Sequence, residues 1–359
     1  MNAETQGMLS LTDLSCYRET ELNEVPMMVI TKTPYRISFF GGGTDYPKWY
    51  REEEGAVLST TIDKYCYISC RVFPAYFNVK YRVIWSHIEN VSSVSEILHP
   101  AVREGIRFMG FDNTNGHCLE IHHQGDLPAR SGMGSSSTFA VGLIKALKGM
   151  REEMIGKHDL ARKAIELEQQ IMKEHVGSQD QVAASFGGFN IIRFSPPDRI
   201  RVEPVIFPST RISELEARLM LFYAGTSRLS SEVAGEVIAN LDKKRDVLLE
   251  MRSYVELGKS LLEEGRMDDF GRLLHDGWML KRSIAQSITN PTIDVIYGKA
   301  VDNGALGGKL LGAGSTGFLL FYVPPERQAH VKDSLYGLIH VPFRFEREGS
   351  SIIYYSDKY

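Results

Sequence analysis

The chain has 359 residues, of which 43% are hydrophobic and 24% charged, and its formal net charge at pH 7 is -4. This length suffices for a large core and predicts more than one domain. The slightly acidic balance shows no excess of basic residues, so no nucleic-acid partner is expected. No stretch approaches the ~18 uninterrupted apolar residues of a membrane span, so we expect no membrane partner and a cytoplasmic protein.

The N-terminal part of the chain begins with residues 1–26, which are polar and aperiodic and are interpreted as an extension. Regular structure is expected from residue 28. An extended segment is predicted for residues 35–40, in which alternation places Arg36 and Ser38 on the face opposite the apolar side chains. Further strands are predicted at residues 56–62, 65–73, 77–85 and 118–122, and a short helix at residues 100–109.

A glycine turn follows the first extended segment. Gly41, Gly42 and Gly43 allow a tight turn and leave room for a ligand, with Thr44 and Asp45 presented just beyond. A plain hairpin turn with solvated charges is the alternative.

A glycine and serine run at residues 127–138 leads directly into a predicted helix, in which Phe139, Leu143 and Leu147 share one face. The first N–H groups of a helix lack intrahelical partners and attract anions, and glycine lets the backbone approach a ligand closely. The run therefore predicts a phosphate-binding loop. A flexible linker before an N-capped helix is the alternative.

Two carboxylates after this loop are candidates for chemistry. A helix capped by Asp159 and running to about Lys173 places Glu168 at the edge of its buried face, which suits a Mg²⁺ ligand as well as a surface glutamate. Asp180 lies among small residues and glycines and is a candidate general base, although it could equally cap a helix.

The C-terminal half differs from the N-terminal half in that most of its predicted elements are helices. We predict a strand at residues 219–223, helices over residues 230–287 with breaks near Gly258 and Gly265, and another helix at residues 292–303. A second glycine-rich loop at residues 307–317 leads into an apolar run at residues 318–323. A helix at residues 326–338 and a strand at residues 351–355 complete the chain.

Neither a P-loop nor the protein-kinase signatures occur at the required spacing. The chain carries instead Pro34-Tyr35-Arg36 before a Gly-Gly-Gly-Thr-Asp-Tyr turn, a Pro-x-x-x-Gly-x-Gly-Ser-Ser-Ser loop before a helix, and a late Gly-x-Gly-x-x-Gly loop before a strand. In these three motifs and in their order it resembles the GHMP kinase superfamily of small-molecule kinases. The glycine turn, Gln179-Asp180-Gln181 and the motif at residues 186–190 resemble the branch of bacterial D-glycero-D-manno-heptose 7-phosphate kinases, whose relatives include fucokinase domains.

The resemblance implies a role for each motif. Arg36 would pair with Asp180, which would orient or deprotonate the anomeric hydroxyl of a sugar. Since an arginine partner favours the ionised carboxylate, positioning would matter more than proton abstraction. Ser136, or its neighbour Ser135, would hold Mg²⁺ together with Glu168. The ATP phosphates would be bound by the loop residues Pro128, Ser131, Gly132, Met133, Gly134, Ser135, Ser136 and Ser137.

The sugar phosphate would be bound by the glycine turn, by the late glycine loop and by cations of the C-terminal half. The residues expected there are Gly43, Thr44, Asp45, Gly312, Ala313, Gly314, Arg228, Lys281 and Arg282. Because Lys281 and Arg282 are adjacent on a predicted helix, at most one of them is expected to face the site.

These patterns predict an α+β protein with an extension at residues 1–26, an N-terminal mixed-sheet domain at 27–208 and a C-terminal domain of helices on an antiparallel sheet at 209–359. The resemblance implies an ATP- and Mg²⁺-dependent sugar 1-kinase acting on heptose 7-phosphate. A kinase for an unphosphorylated sugar such as L-fucose and a non-catalytic sugar sensor remain alternatives. The superfamily's decarboxylases are disfavoured by the sugar-type turn. The choice between monomer and homodimer is open.

Overall fold

The computed structural model describes residues 28–73, 79–112, 118–225 and 230–356. The extension at residues 1–26 and Arg228 lie outside these ranges. Within them, no helix has both the length and the apolar character needed to cross a bilayer. The expected α+β architecture is confirmed.

The strands fall into two sheets. In chain order they are β1 Met28–Phe40, β2 Gly55–Phe73, β3 Tyr81–Ile84, β4 Ile88–Val91, β5 Cys118–Gly125, β6 Phe189–Ser195, β7 Arg199–Pro204, β8 Leu219–Tyr223, β9 Gly307–Leu310, β10 Phe318–Tyr322, β11 Ile339–His340, β12 Phe345–Glu346 and β13 Ser351–Ser356.

Helices connect and cover these sheets. They are α1 Pro47–Tyr50, α2 Pro100–Phe108, α3 Ser135–Gly149, α4 Lys157–Ile165, α5 Gln179–Phe186, α6 Ser209–Glu216, α7 Ser230–Asn240, α8 Arg245–Glu264, α9 Met267–Arg282, α10 Pro291–Asp302 and α11 Gln328–Ser334. A π-helical segment, Glu166–Ile171, continues α4, and short 3₁₀ turns lie at Val94–Glu96, Asp242–Lys244, Gln286–Ile288 and Pro325–Arg327.

The larger sheet is built around β2, whose first half pairs with β6 and whose second half pairs with β5. Within the described ranges it has nine strands, ordered β13-β1-β2-β5-β3-β4 with β6, β7 and β12 attached through β2 and β6. Strands β3 and β5 are parallel, whereas the other pairs are antiparallel. The sheet is therefore mixed, as expected.

The register of β1 against β2 positions two polar side chains. It shifts between Pro34 and Arg36 and again between Ser38 and Phe40. Such irregularities re-aim side chains and are frequent beside functional sites. Between them the pairing is regular, so Arg36 and Ser38 lie on the same face of β1.

The smaller sheet has the order β11-β8-β10-β9 and is antiparallel. Helix α9 packs against β9, α8 packs against α9, and α8 also reaches β1 and β2 of the larger sheet. Strands β12 and β13, expected in the C-terminal domain, instead pair with β2 and β1. The domain boundary near residue 208 stays a prediction.

Three local predictions are wrong. Residues 55–73 form one continuous strand, in which Ile62 pairs with Phe345 and Tyr65 pairs with Pro34, on either side of Asp63 and Lys64. Helix α4 begins at Lys157 after Gly156, so Asp159 lies in its first turn and does not cap it. Gly258 lies inside α8, where a Cβ would stand 2.6 Å from the ring of Phe40. This glycine permits close packing and does not end the helix.

Candidate active site

An ion pair between β1 and the first turn of α5 lies at the centre of the site. Arg36 Nε donates to Asp180 Oδ1 and Nη2 to Oδ2, both at 2.7 Å. The remaining arm of the guanidinium, Nη1, donates to the carbonyl oxygen of Gly132 at 2.9 Å. Arg36 is 3% exposed, whereas the Asp180 side chain keeps 21% of its surface accessible. The arginine is thus fixed, and the carboxylate it holds is open to a ligand.

The N-terminus of α3 lies against this carboxylate. Gly134 precedes the helix with φ of +73°, and a Cβ at this position would lie 2.9 Å from Asp180 Oδ2. Glycine therefore lets the loop approach the aspartate. The first N–H groups of α3 and the positive end of its dipole face the same region as Asp180, which suits an anionic ligand beside a carboxylate.

Glu168 projects from the π-helical segment and has no exposed surface. Its Oε1 accepts a hydrogen bond from Ser136 Oγ and its Oε2 accepts one from Gln181 Nε2, each at 2.6 Å. Burial raises the pKa of Glu168 to about 7, although these donors act in the opposite direction. A buried carboxylate without a cationic partner among its hydrogen bonds is a suitable place for a divalent ion.

The glycine turn is held from behind by Thr44 and Asp45. Thr44 is fully buried, and its hydroxyl donates to the carbonyl of Gly41 at 2.8 Å and accepts from the N–H of Ala56 at 3.1 Å. The prediction that Thr44 contacts substrate is therefore corrected, because protein atoms enclose it and occupy its hydroxyl.

The Asp45 carboxylate is also buried. It accepts hydrogen bonds from the backbone N–H of Gly43 at 2.9 Å and of Gln179 at 3.3 Å. Burial raises the pKa of Asp45. This carboxylate joins the turn to the start of α5, the helix that carries Asp180.

Three of the predicted ATP-loop residues are buried within the protein. Ser131 and Met133 have no exposed surface, and Ser137 is 2% exposed. The Ser131 hydroxyl donates to the carbonyl of Pro128 at 2.6 Å. Direct contact of Ser131 and Met133 with ATP is therefore corrected to support of the loop from behind. The accessible members of the predicted set are Pro128, Gly132, Gly134, Ser135 and Ser136.

The late glycine loop packs directly on the phosphate loop. A Cβ on Gly312 would stand 2.4 Å from the Cα of Gly132, and one on Gly132 would stand 2.3 Å from the carbonyl oxygen of Leu311. Gly314 similarly lies against the backbone of Ile288. Ala313 is half-buried between these two glycines. The two loops thus meet through their backbones, and the late loop forms a wall of the site.

Lys281 and Arg282, two of the cations predicted to bind the substrate, lie in different surroundings. Lys281 Nζ donates to the carbonyl oxygens of Leu310 and Gly312, at 3.1 and 2.5 Å. Burial lowers the pKa of Lys281 to about 7; Arg36 acts in the same direction, and Asp45 and Asp180 oppose it. Lys281 therefore faces the site.

Its neighbour Arg282 pairs with Asp294 on α10 at 2.8 Å. The two adjacent side chains thus point to different surroundings, as expected from their helical spacing.

Two further residues of the site carried no role in the sequence interpretation. Gln181 holds Glu168, and Lys309, 7% exposed, donates to the carbonyl of Phe39 at 2.7 Å across the junction of the two sheets. Burial lowers the pKa of Lys309 well below its usual value. In the sequence, the glutamines on both sides of Asp180 could have identified Gln181 as a residue of the site. For Lys309 no local pattern exists, since its burial depends on both sheets.

Comparison with known proteins bears on this geometry. The family model described as GHMP kinases N terminal domain matches residues 100–188, and the model described as GHMP kinases C terminal matches residues 259–335. A D-glycero-alpha-D-manno-heptose 7-phosphate kinase from Campylobacter jejuni subsp. jejuni is 29% identical over 339 residues, covering 89% of this chain and 97% of that protein. A bifunctional fucokinase/GDP-fucose pyrophosphorylase from Arabidopsis thaliana is 26% identical over 324 residues, which are 85% of this chain and 30% of that protein.

Solved structures agree on the fold. A D-glycero-D-manno-heptose 1-phosphate kinase from Bacteroides thetaiotaomicron superposes with a TM-score of 0.75 at 24% identity, covering 91% of this chain and 99% of that one. Proteins of this family use ATP as the phosphate donor and an alcohol group as the acceptor. Because both family models match in order, the chain carries the N-terminal and C-terminal domains described for the GHMP kinases, and the ion pair lies at the phosphate loop of the first of them.

Proposed function

We propose that this kinase transfers the γ-phosphoryl group of ATP to the anomeric hydroxyl of D-glycero-D-manno-heptose 7-phosphate, forming the 1,7-bisphosphate. The observation that carries the proposal is the bidentate Arg36–Asp180 pair, placed against the glycine loop at the N-terminus of α3. The substrate follows from the relative that is similar over nearly its full length. We place the reaction in the cytoplasm, where it would supply nucleotide-activated heptose for surface polysaccharide.

Asp180 is the group that acts on the acceptor. Its accessible carboxylate accepts a hydrogen bond from the anomeric hydroxyl and takes its proton as the new O–P bond forms. The bond from the γ-phosphorus to the bridging oxygen breaks, and ADP leaves. Arg36 holds the carboxylate through two hydrogen bonds and places positive charge beside the transferring group.

The backbone of the accessible loop residues, Gly132, Gly134, Ser135 and Ser136, binds the phosphates of ATP. Its N–H groups lie at the start of α3, where the helix dipole favours negative charge. Gly132 and Gly134 adopt positive φ of 83° and 73°, which glycine tolerates, so the chain can turn around an anion. The contact between Gly132 and Gly312 fixes this loop from the opposite side.

The residues around Glu168 fit Mg²⁺. Serine and carboxylate oxygens are the hard donors that Mg²⁺ takes, and one carboxylate plus phosphate oxygens is a common set. Among the described residues no group of three or more histidine, cysteine or acidic side chains could hold a metal ion. Ser136 and Glu168 would hold the ion, which would offset negative charge on the phosphates.

The acceptor phosphate requires positive charge in the cleft. We assign this role to Lys281, whose amine lies within electrostatic reach of Asp45 and Asp180 and would take up a proton when a phosphate binds beside it. Gly43, Asp45 and Gly312 to Gly314 line the same region. Arg282 is engaged by Asp294 and takes no part in this scheme. Arg228 stays a prediction outside the described residues.

The test is ATP turnover with heptose 7-phosphate, free heptose, mannose and L-fucose, using Asp180→Asn as the inactive control. We expect turnover with the 7-phosphate alone and its loss in the variant. Turnover with a free sugar would retain a sugar kinase and contradict the phosphate requirement. Saturable sugar binding without turnover of any acceptor would indicate the sensor.

A further inference from the structure

The three glycines of the turn are not equivalent. Gly41 and Gly43 have φ of +82° and +108°, in the region that glycine adopts readily. A Cβ on Gly41 would also lie 1.9 Å from the carbonyl oxygen of Ala56. The fold therefore accounts for glycine at these two positions.

Gly42 is different, because nothing in the fold demands glycine there. Its φ lies outside the left-handed region, and a Cβ would meet Gln179 Nε2 at 3.5 Å and Ser38 Oγ at 3.8 Å, both ordinary contact distances. A methyl group would thus be accommodated. What glycine leaves out at position 42 is a methyl group in contact with these two polar side chains.

Both side chains carry a buried atom without a partner. Ser38 is 8% exposed, and neither its Oγ nor Gln179 Oε1 forms a hydrogen bond within the described part of the chain. Buried polar atoms are rarely left in this way, and unexplained cases call for a ligand or water. The Gln179 side chain also forms a hydrogen bond that lowers the pKa of Asp45, so its NH₂ group faces that carboxylate and its oxygen remains an acceptor.

Their position connects them to the reaction. Ser38 lies two residues beyond Arg36 on the same face of β1, and Gln179 directly precedes Asp180. Both side chains lie within 4 Å of the Cβ position of Gly42, so a hydroxyl group bound over this glycine would have Ser38 Oγ as a donor and Gln179 Oε1 as an acceptor in the surrounding side chains. One alcohol would satisfy both orphaned atoms.

We propose that Ser38, Gln179 and the space over Gly42 form a subsite that binds a second hydroxyl of the acceptor, one that is not phosphorylated. The inference rests on the proposed function and deepens it, since it names residues that select a polyhydroxylated acceptor. An acceptor lacking this hydroxyl leaves both buried atoms unpaired and is discriminated against.

The first test measures KM and kcat of Ser38→Ala and Gly42→Ala with ATP and heptose 7-phosphate. We expect the acceptor KM to rise about threefold to tenfold in Ser38→Ala and about tenfold or more in Gly42→Ala, with the ATP KM unchanged. Ser185→Ala is the matched control, because Ser185 also has a buried unpaired hydroxyl but belongs to the far end of α5. Gly298→Ala controls for the added methyl, since that position is open.

The second test uses monodeoxy analogues of heptose 7-phosphate. In the unmodified enzyme one analogue should lose about as much kcat/KM as Ser38→Ala loses with the full substrate, and Ser38→Ala should lose little more with that analogue. The subsite would be overturned if the losses of kcat/KM caused by Ser38→Ala and by each deoxy analogue were independent and additive. It would also be overturned if the acceptor KM were unchanged in both Ser38→Ala and Gly42→Ala. Failure of the unmodified enzyme to turn over any acceptor would instead contradict the proposed function.

Discussion

Asp180 is the residue on which the reaction depends most. Replacing it by asparagine keeps the size of the side chain but removes the proton acceptor and the charge that Arg36 neutralises. We predict that kcat of Asp180→Asn falls by at least about 10²-fold. Because Arg36 is buried, the variant should also lose about 3 kcal/mol of unfolding free energy. Steady-state kinetics and denaturant unfolding measure the two effects.

Asp198→Asn is the matched control for this change. Asp198 also accepts from an arginine, Arg51, at 2.9 Å, but both side chains are more than half exposed. An exposed pair contributes little, so kcat should be unchanged and the loss of stability should stay below about 1 kcal/mol. Equal effects of the two substitutions would argue against a special role for Asp180.

Glu168 is expected to act through Mg²⁺. In Glu168→Gln the new amide can still accept from Gln181 and can donate to Ser136, while the buried charge disappears. We predict that the Mg²⁺ concentration for half-maximal activity rises at least about tenfold. Since burial raises the pKa of Glu168 to about 7, the carboxylate is unfavourable to folding above that pH, and Tm at pH 8 should not fall.

The exposed Glu166 of the same π-helical segment provides the comparison. Glu166→Gln should leave the Mg²⁺ dependence as it is. An unchanged Mg²⁺ requirement in Glu168→Gln would show that the buried carboxylate has a structural role alone.

Lys281 makes stability depend on pH. Burial lowers its pKa to about 7, from 10.5 for an unperturbed lysine. Between these values the unfolded chain binds a proton that the folded chain lacks, so this residue makes stability rise with pH from about 7 to 10. We predict that Lys281→Met removes this rise, as measured by urea unfolding at pH 7, 8 and 9. The exposed Lys299→Met should retain the slope of the unmodified protein.

Among the elements, the contact between the two glycine loops is the most exacting. Gly312 has φ of +74°, and a Cβ there would overlap the Cα of Gly132 at 2.4 Å. We predict that Gly312→Ala separates the loops, lowers the unfolding free energy by about 2 kcal/mol or more and raises the KM for ATP. Thermal unfolding and steady-state kinetics measure these effects.

Gly337→Ala isolates the cost of backbone strain. Gly337 has φ of +99° but no heavy atom within 4 Å of a built Cβ. This variant should lose stability without any change in the KM for ATP. If Gly312→Ala behaved in the same way, the loop contact would have no part in nucleotide binding.

The helices show which signals in a sequence can be interpreted locally. Gly265 ends α8 in the left-handed conformation, as a glycine after a periodic helix predicts. Gly258 carries the same local signal but lies within the helix, because its missing side chain makes room for Phe40. The difference arises from tertiary packing, which periodicity does not contain.

At the scale of the whole molecule, the fold brings together motifs that are far apart in the chain. The resemblance to the GHMP kinases implied that Arg36 pairs with Asp180 and that Ser136 or Ser135 lies beside Glu168, and hydrogen bonds join Arg36 to Asp180 and Ser136 to Glu168. The sequence could not predict that Thr44 is enclosed, since burial of a turn residue depends on what packs behind it. Nor could it predict Lys309, whose partner Phe39 belongs to the other sheet.

The central claim is that the Arg36–Asp180 site transfers phosphate to the anomeric oxygen of a heptose that already carries a phosphate. The most direct measurement is ³¹P NMR of the product formed from ATP and D-glycero-D-manno-heptose 7-phosphate. The account predicts a new anomeric phosphate signal coupled to H1, with the 7-phosphate retained and ADP released in equal amount. A phosphate on any other oxygen, or ADP released without a phosphorylated sugar, would contradict it.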